Sequence, residues 1–166
     1  MPNWVTNILR FQNEEDFRAV IDFVRGDIGV DGERNLFDFE KIVPSPSNIF
    51  RGALGKKERQ ECADKGIPNW YDWNIKNWGT KWNSCDVFIE NETIRFDTAW
   101  ATPLPVIAAL SENFPNISFY MVYADEDIGQ NCGTFTIKNG SVVDEQVLKA
   151  GSSRAKAFAK KVKGYV

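Results

Sequence analysis

Asn139-Gly140, set between Gly133–Lys138 and Ser141–Val147, is the strongest short hairpin signal in the chain and commits its C-terminal part to antiparallel pairing. The turns that join paired strands without splaying them need positive φ at both central residues, a conformation that Asn and Gly adopt at least cost. A second hairpin is expected upstream, where Asp86–Glu90 and Thr93–Ala99 alternate apolar and polar residues around Asn91-Glu92. Two hairpins in a chain of 166 residues point to an antiparallel sheet as the centre of one compact unit.

Outside the hairpins the hydrophobic period alternates between two and 3.6. Trp4–Phe11 reads as a strand, although Asn7 interrupts its alternation. Asn13 can cap a helix that opens on Glu14, Glu15 and Asp16, carries Phe17, Val20, Ile21 and Val24 at helical spacing, and ends at Gly26. Leu36–Val43 is expected to form a second strand, stopped by Pro44 and Pro46. Thr102 as cap and Pro103 at the first helical position predict a helix with Leu104, Ile107, Ala108 and Ser111 on one side. Ile117–Ala124 reads as a strand and Ser152–Val162 as a helix.

Residues 45–83 break this rhythm with charge and tryptophan, and hold two expected short helices, one near Lys56–Asp64 and one after Asn69. They read as an insertion. The resulting order is β-α-β, insertion, β-β-α-β, hairpin, helix. It is an α+β, ferredoxin-like split βαβ arrangement, in which two helices cover one face of an antiparallel sheet. One domain spanning 1–166 is expected, with the Trp-rich insertion at 45–83 and a hairpin and basic helix at 132–166.

The chain has no histidine, which excludes Ser-His-Asp and Cys-His nucleophilic systems and every His-ligated metal within it. It also lacks GxGxxG and GxxxxGK[ST], the Gly-rich loops that cradle phosphates. Cys62, Cys85 and Cys132 are odd in number and far apart, a pattern of reduced thiols rather than of a disulfide framework or a CxxC site. Asp97 in its strand and the run Asp125-Glu126-Asp127 are the carboxylate groups to consider. The run reads as a solvated turn and Asp97 as a hydrogen-bond acceptor, with no metal or cofactor expected. A net charge of −3 gives no general attraction to nucleic acid or to an anionic membrane. No apolar run reaches the length of a bilayer span and no signal peptide is evident at Met1-Pro2-Asn3-Trp4, so a cytoplasmic location is expected.

Four of the six tryptophans fall in Asn69-Trp70-Tyr71-Asp72-Trp73-Asn74-Ile75-Lys76-Asn77-Trp78-Gly79-Thr80-Lys81-Trp82. This block recurs with Met1-Pro2-Asn3-Trp4 and Asn7, with Phe37-Asp38-Phe39, Ile42 and Pro44, and with Phe96-Asp97-Thr98-Ala99-Trp100 and Pro103. Together they resemble the YubB-like (DUF1281-like) proteins of bacteriophages and plasmids. The matching blocks span roughly 1–125. The resemblance implies a ferredoxin-like domain and a mobile-element origin, and it brings no catalytic residue with it.

Trp70, Tyr71, Trp73, Trp78, Lys81, Trp82 and Trp100 are the candidate partner-binding residues. Trp70, Trp73 and Trp78 sit at positions suited to packing against the sheet. Trp82 and Trp100 lie just beyond an element rather than within a periodic face, and are the expected exposed members. A second candidate surface is the basic amphipathic C-terminal helix. Its Ala155, Phe158, Ala159 and Val162 form an apolar stripe, which leaves Arg154, Lys156, Lys160 and Lys161 free for an anionic ligand or partner. Two functions fit best: a non-enzymatic interaction protein of a mobile element that binds and inhibits a host protein such as a defence factor, or a nucleic-acid-binding module. The second is disfavoured by the acidic balance and the missing RNP1-like motif. A His-free hydrolase or nucleotide-binding enzyme ranks third.

Overall fold

The computed structural model describes residues 1–165. In chain order the elements are β1 (Trp4–Arg10), α1 (Glu14–Val24), α2 (Lys56–Lys65), α3 (Trp70–Asn77), β2 (Cys85–Glu90), β3 (Thr93–Ala99), α4 (Leu104–Asn113), β4 (Phe119–Asp125), β5 (Cys132–Lys138), β6 (Ser141–Val147) and α5 (Ser153–Lys163). The six strands form one antiparallel sheet in the order β2-β3-β1-β4-β5-β6. β3 lies between β1 and β2, and β1 lies between β3 and β4. These are the two split βαβ units of a ferredoxin-like domain, with β5 and β6 added beyond β4. Both hairpins turn as their residues require: Asn91 and Glu92 have φ of +46° and +54°, and Asn139 and Gly140 have +47° and +80°.

Register divides the sheet into two faces. Leu9 of β1 aligns with Ile94 of β3 and Met121 of β4, and together with Val5 they form the face covered by α1, through Val20, Ile21 and Val24, and by α4, through Val106, Ile107 and Leu110. Thr6 and Ile8 point the other way. There Val122, Ala124 and Cys132 pack under Ala155, Ala159 and Val162 of α5. α5 is pinned at its C-terminal end by Arg95, which donates to Val162 O at 2.9 Å, and by Lys163, which donates to Trp4 O and Thr6 Oγ1 at 3.1 Å each. β6 closes one edge with all seven residues exposed.

Leu36–Val43 is not a strand. It runs as irregular chain into a single 3-10 turn at Phe39–Lys41. Alternation misled because Phe37 and Phe39 are both fully buried at two-residue spacing. Local side chains satisfy the backbone instead of a ladder: Asn35 Oδ1 accepts from Phe37 N, Asp38 Oδ1 from Glu40 N, and Asn83 Oδ1 from Phe39 N. The neighbour position beside β3 belongs to β2, so the chain from Arg25 to Ser84 is one long excursion between α1 and β2.

The α4 expectation also shifts by one residue. Pro103 is the N-cap and Thr102 makes no cap bond; the buried stripe is Val106, Ile107, Leu110 and Ser111, while Leu104 is exposed. A Pro cap offers no side-chain acceptor, and the turn before it is fixed by Thr98 Oγ1, which donates to Ala101 O at 2.7 Å. Other boundaries move by one or two residues, as helix and strand ends do.

Candidate functional site

α3 starts where Asn69 Oδ1 accepts from Asp72 N at 2.9 Å and Asn69 Nδ2 donates to Asp72 Oδ2 at 2.7 Å, a reciprocal cap. Bonding from Asn69, and then Arg59, holds the Asp72 carboxyl below its usual range. The helix ends at Gly79, with φ of +77° and no room for a Cβ, which would meet Pro105 Cδ at 2.9 Å. Two side chains then shape the following turn: buried Asn74 donates to Lys81 O at 2.9 Å, and buried Thr80 to Trp82 O at 2.7 Å. Lys81 and Trp82 are thus fixed by their backbone, which leaves their side chains to face outward.

Trp100 is placed by a different device. It leaves β3 with φ of +75°, a left-handed conformation that a bulky residue adopts only when its surroundings impose it. Trp100 N donates to Asn3 O at 2.9 Å, and Thr98 Oγ1 closes the turn on Ala101 O. Thr98 in turn accepts at 2.8 Å from Asn7 Nδ2, which also donates to Val5 O and reaches Phe96 O at 3.4 Å. The Asn that breaks the alternation of β1 is therefore a fully buried tie between β1 and the turn carrying Trp100.

These supports bring Lys81, Trp82 and Trp100 together. The Lys81 ammonium lies 4.4 Å from the Trp82 ring centroid and 5.1 Å from that of Trp100. The array continues on both sides: Trp4 lies 5.9 Å from Trp82, and Tyr71 meets Trp100 edge-to-face at 6.0 Å with the Arg59 guanidinium 4.8 Å over its own ring. Trp82 is 37% and Trp100 39% exposed, and neither indole N–H has a protein acceptor among the described residues. Beside Trp82 opens a cleft of about 600 Å³ whose lining includes Trp70, Trp78 and Trp82, with Arg51 and Glu40 among its polar members.

The other tryptophans serve the framework. Trp78 is 3% exposed, donates to Val43 O at 2.9 Å and packs edge-to-face on Phe39. Trp73 is half-buried against Trp78, and half-buried Trp70 donates to Gly52 O at 2.9 Å. The ring of Trp78 is therefore core and not contact surface. Arg154, Lys156, Lys160 and Lys161 are exposed on α5, away from the aromatic array in sequence and carried on the second face of the sheet.

The carboxylates and thiols have structural partners. Asp97 accepts from Thr6 Oγ1 at 2.8 Å. Asp125 is not part of a solvated turn: it ends β4, is 5% exposed, and accepts from Asp127 N at 2.9 Å and from Asn3 and Asn131 at 3.3 and 3.4 Å. Burial, with Asp86 and Asp97 adding to it, pushes the Cys85 thiol up to about 11, and burial also pushes Cys132 up. That is opposite to the depression that activates a nucleophilic cysteine. No group of three or more Cys, Asp or Glu side chains among the described residues is arranged to hold a metal ion. No helix there is long and apolar enough to cross a membrane.

Sequence reasoning did not single out Trp4 as part of the array, nor Asn7, Asn74, Thr80 and Thr98 as its supports. Only Asn7 carried a visible signal, a polar residue on the apolar side of a strand.

A search of the curated proteins found no match. A crystal structure of the protein api92 from Yersinia pseudotuberculosis is similar at 18% identity and a TM-score of 0.40, over 52% of this chain and 33% of that one, so the chain spans about a third of that protein's length. The family model described as the ferredoxin-like domain in Api92-like protein matches residues 77–165, more than half of the chain. The match takes in the C-terminal hairpin and helix, which the sequence blocks above do not reach. With the strand order agreeing, the chain belongs to the family of Api92-like proteins that carry this ferredoxin-like domain.

Proposed function

We propose that the chain is a non-enzymatic protein-interaction module that docks its partner through Trp82, Lys81, Trp100 and Tyr71. The observation that carries this reading is the cost of displaying Trp100. A bulky side chain is kept exposed on left-handed backbone, beside a second exposed indole, by buried polar ties through Asn7 and Thr98. Strain of this kind costs of order 1–3 kcal/mol and clusters at functional sites. Exposed Trp, Tyr and cationic side chains on a rigid support are the composition of a binding hot spot.

The likeness of the sequence blocks to phage and plasmid proteins makes a host protein, such as a defence factor inhibited by occlusion, the first partner class to test. Nucleic acid is the runner-up. The chain's net charge of −3 weighs against it.

Affinity capture from bacterial lysate, with and without nuclease, tests the reading. The wild-type chain is expected to retain a stoichiometric, nuclease-resistant protein that Trp82→Ala/Trp100→Gly loses. Capture that depends on nucleic acid, or that the double variant leaves unchanged, would overturn it.

A further inference from the structure

Resting on that reading, we infer that the partner presents an acidic segment with an apolar or aromatic anchor. The anchor seats in the cleft between Trp70 and Trp82, and flanking carboxylates reach Lys81 and Arg51.

Charge is the first support. Residues 45–83 hold seven Lys and Arg against four Asp and Glu, in a chain with 20 against 23. Residues 45–83, the part of the excursion that carries the tryptophan block, are thus a lobe of net charge +3 in a chain whose other residues sum to −6, an asymmetry hidden in the overall −3. The second support is Lys81. Its ammonium has no carboxylate within ion-pair distance among the described residues and makes no hydrogen bond there; only ring faces hold it. An ammonium has three donors, so all three remain for an incoming acceptor. The third support is the cleft. It is an open groove of about 600 Å³, with Trp70 and Trp82 in its lining to receive an apolar group. Arg51 lies in the same lining, paired at 3.6 Å with Glu40 but with 61% of its side chain exposed.

Two anionic occupants differ in how far their charge extends. A peptide can confine a few carboxylates to the basic lobe, whereas a phosphate backbone continues past it and meets the acidic body. The charge layout therefore favours an acidic protein segment.

Fluorescence anisotropy with three labelled probes tests this: a peptide of Asp and Glu around a central Phe-Leu pair, its Asn/Gln counterpart, and oligo-dT of matching length. The acidic peptide is expected to bind at least about tenfold more tightly than its amide counterpart, and more weakly as salt is raised. Lys81→Gln should abolish most of that preference, while Trp82→Ala should weaken both peptides. Urea unfolding confirms that each variant is folded. Equal binding of the two peptides, tighter binding of oligo-dT, or binding of none of the probes would overturn the inference. The interaction reading itself is tested separately by the capture experiment, and it falls if capture depends on nucleic acid or if Trp82→Ala/Trp100→Gly leaves it unchanged.

Discussion

Trp100 and Trp78 are the same residue type in opposite roles, and substituting each separates display from packing. Truncating Trp100 removes the edge-to-face pair with Tyr71, worth about 0.5–1.5 kcal/mol, and the ammonium contact of Lys81, worth about 0.5–1 kcal/mol. Trp100→Ala keeps the φ of +75° and should cost the sum, about 2 kcal/mol. Trp100→Gly loses the same ring but relieves about 1–2 kcal/mol of left-handed strain, against about 0.5–1 kcal/mol of extra backbone entropy. Its net cost is therefore about 1 kcal/mol, smaller than that of the alanine variant. Trp78→Ala empties a core site of a ring that is 3% exposed and leaves Val43 O without its indole donor, for a cost of about 3–5 kcal/mol. Urea unfolding with an unchanged m-value reads all three. Should Trp100→Gly cost as much as Trp78→Ala, or more than Trp100→Ala, the indole would be a structural element and the display reasoning would fail.

Gly79→Ala combines a positive φ with a close approach to Pro105, so a loss of about 1–3 kcal/mol and weaker presentation of Lys81 and Trp82 are expected in the same unfolding assay. Asn69→Ala removes the reciprocal cap of α3 and should cost about 1 kcal/mol at neutral pH. The Asp72 carboxyl is held low in the folded chain, so its contribution is present above the ordinary aspartate range and fades as pH falls through the folded value; Asp72→Asn should flatten that part of the acid stability profile. The Cys85 thiol is pushed up to about 11, so folding favours its protonated form. Stability from that site is full below the free-thiol range and declines as pH rises towards 11, and Cys85→Ser should shrink the alkaline decline seen by circular dichroism. At pH 8 the native chain should react slowly with a thiol reagent at Cys85 and Cys132, and unfolding should release all three thiols.

How much of this was legible depended on whether the cause was local. Asn139-Gly140 and Asn91-Glu92 carry their turn geometry in their own dihedral preferences, and Asn13, Asn69 and Ser152 carry their caps, so hairpins and helices could be read directly. Leu36–Val43 shows the limit. Its alternation is real, but strand formation needs a free sheet edge, and β2 occupies that position from more than 40 residues downstream. Asp125 failed for a similar reason, since Asn3, its distant partner, is adjacent only once β1 and β4 pair. The exposure of Trp82 and Trp100 followed from their places just outside the elements. Their meeting around Lys81 did not, because it depends on the end of α3 and the end of β3 converging in space. The ties from Asn7 through Thr98 were visible only as a polar interruption whose purpose needed the fold to explain it.

The claim at the centre of this account is that Trp82 and Trp100 form the contact surface, and oxidative footprinting of the captured complex tests it most directly. In the free chain both indoles should oxidise readily and Trp78 should not. In the complex, strong protection of Trp82 and Trp100 with no change along the exposed strand Ser141–Val147 is the predicted result. Unchanged oxidation of both indoles in a complex that remains intact would place the interface elsewhere and contradict the account.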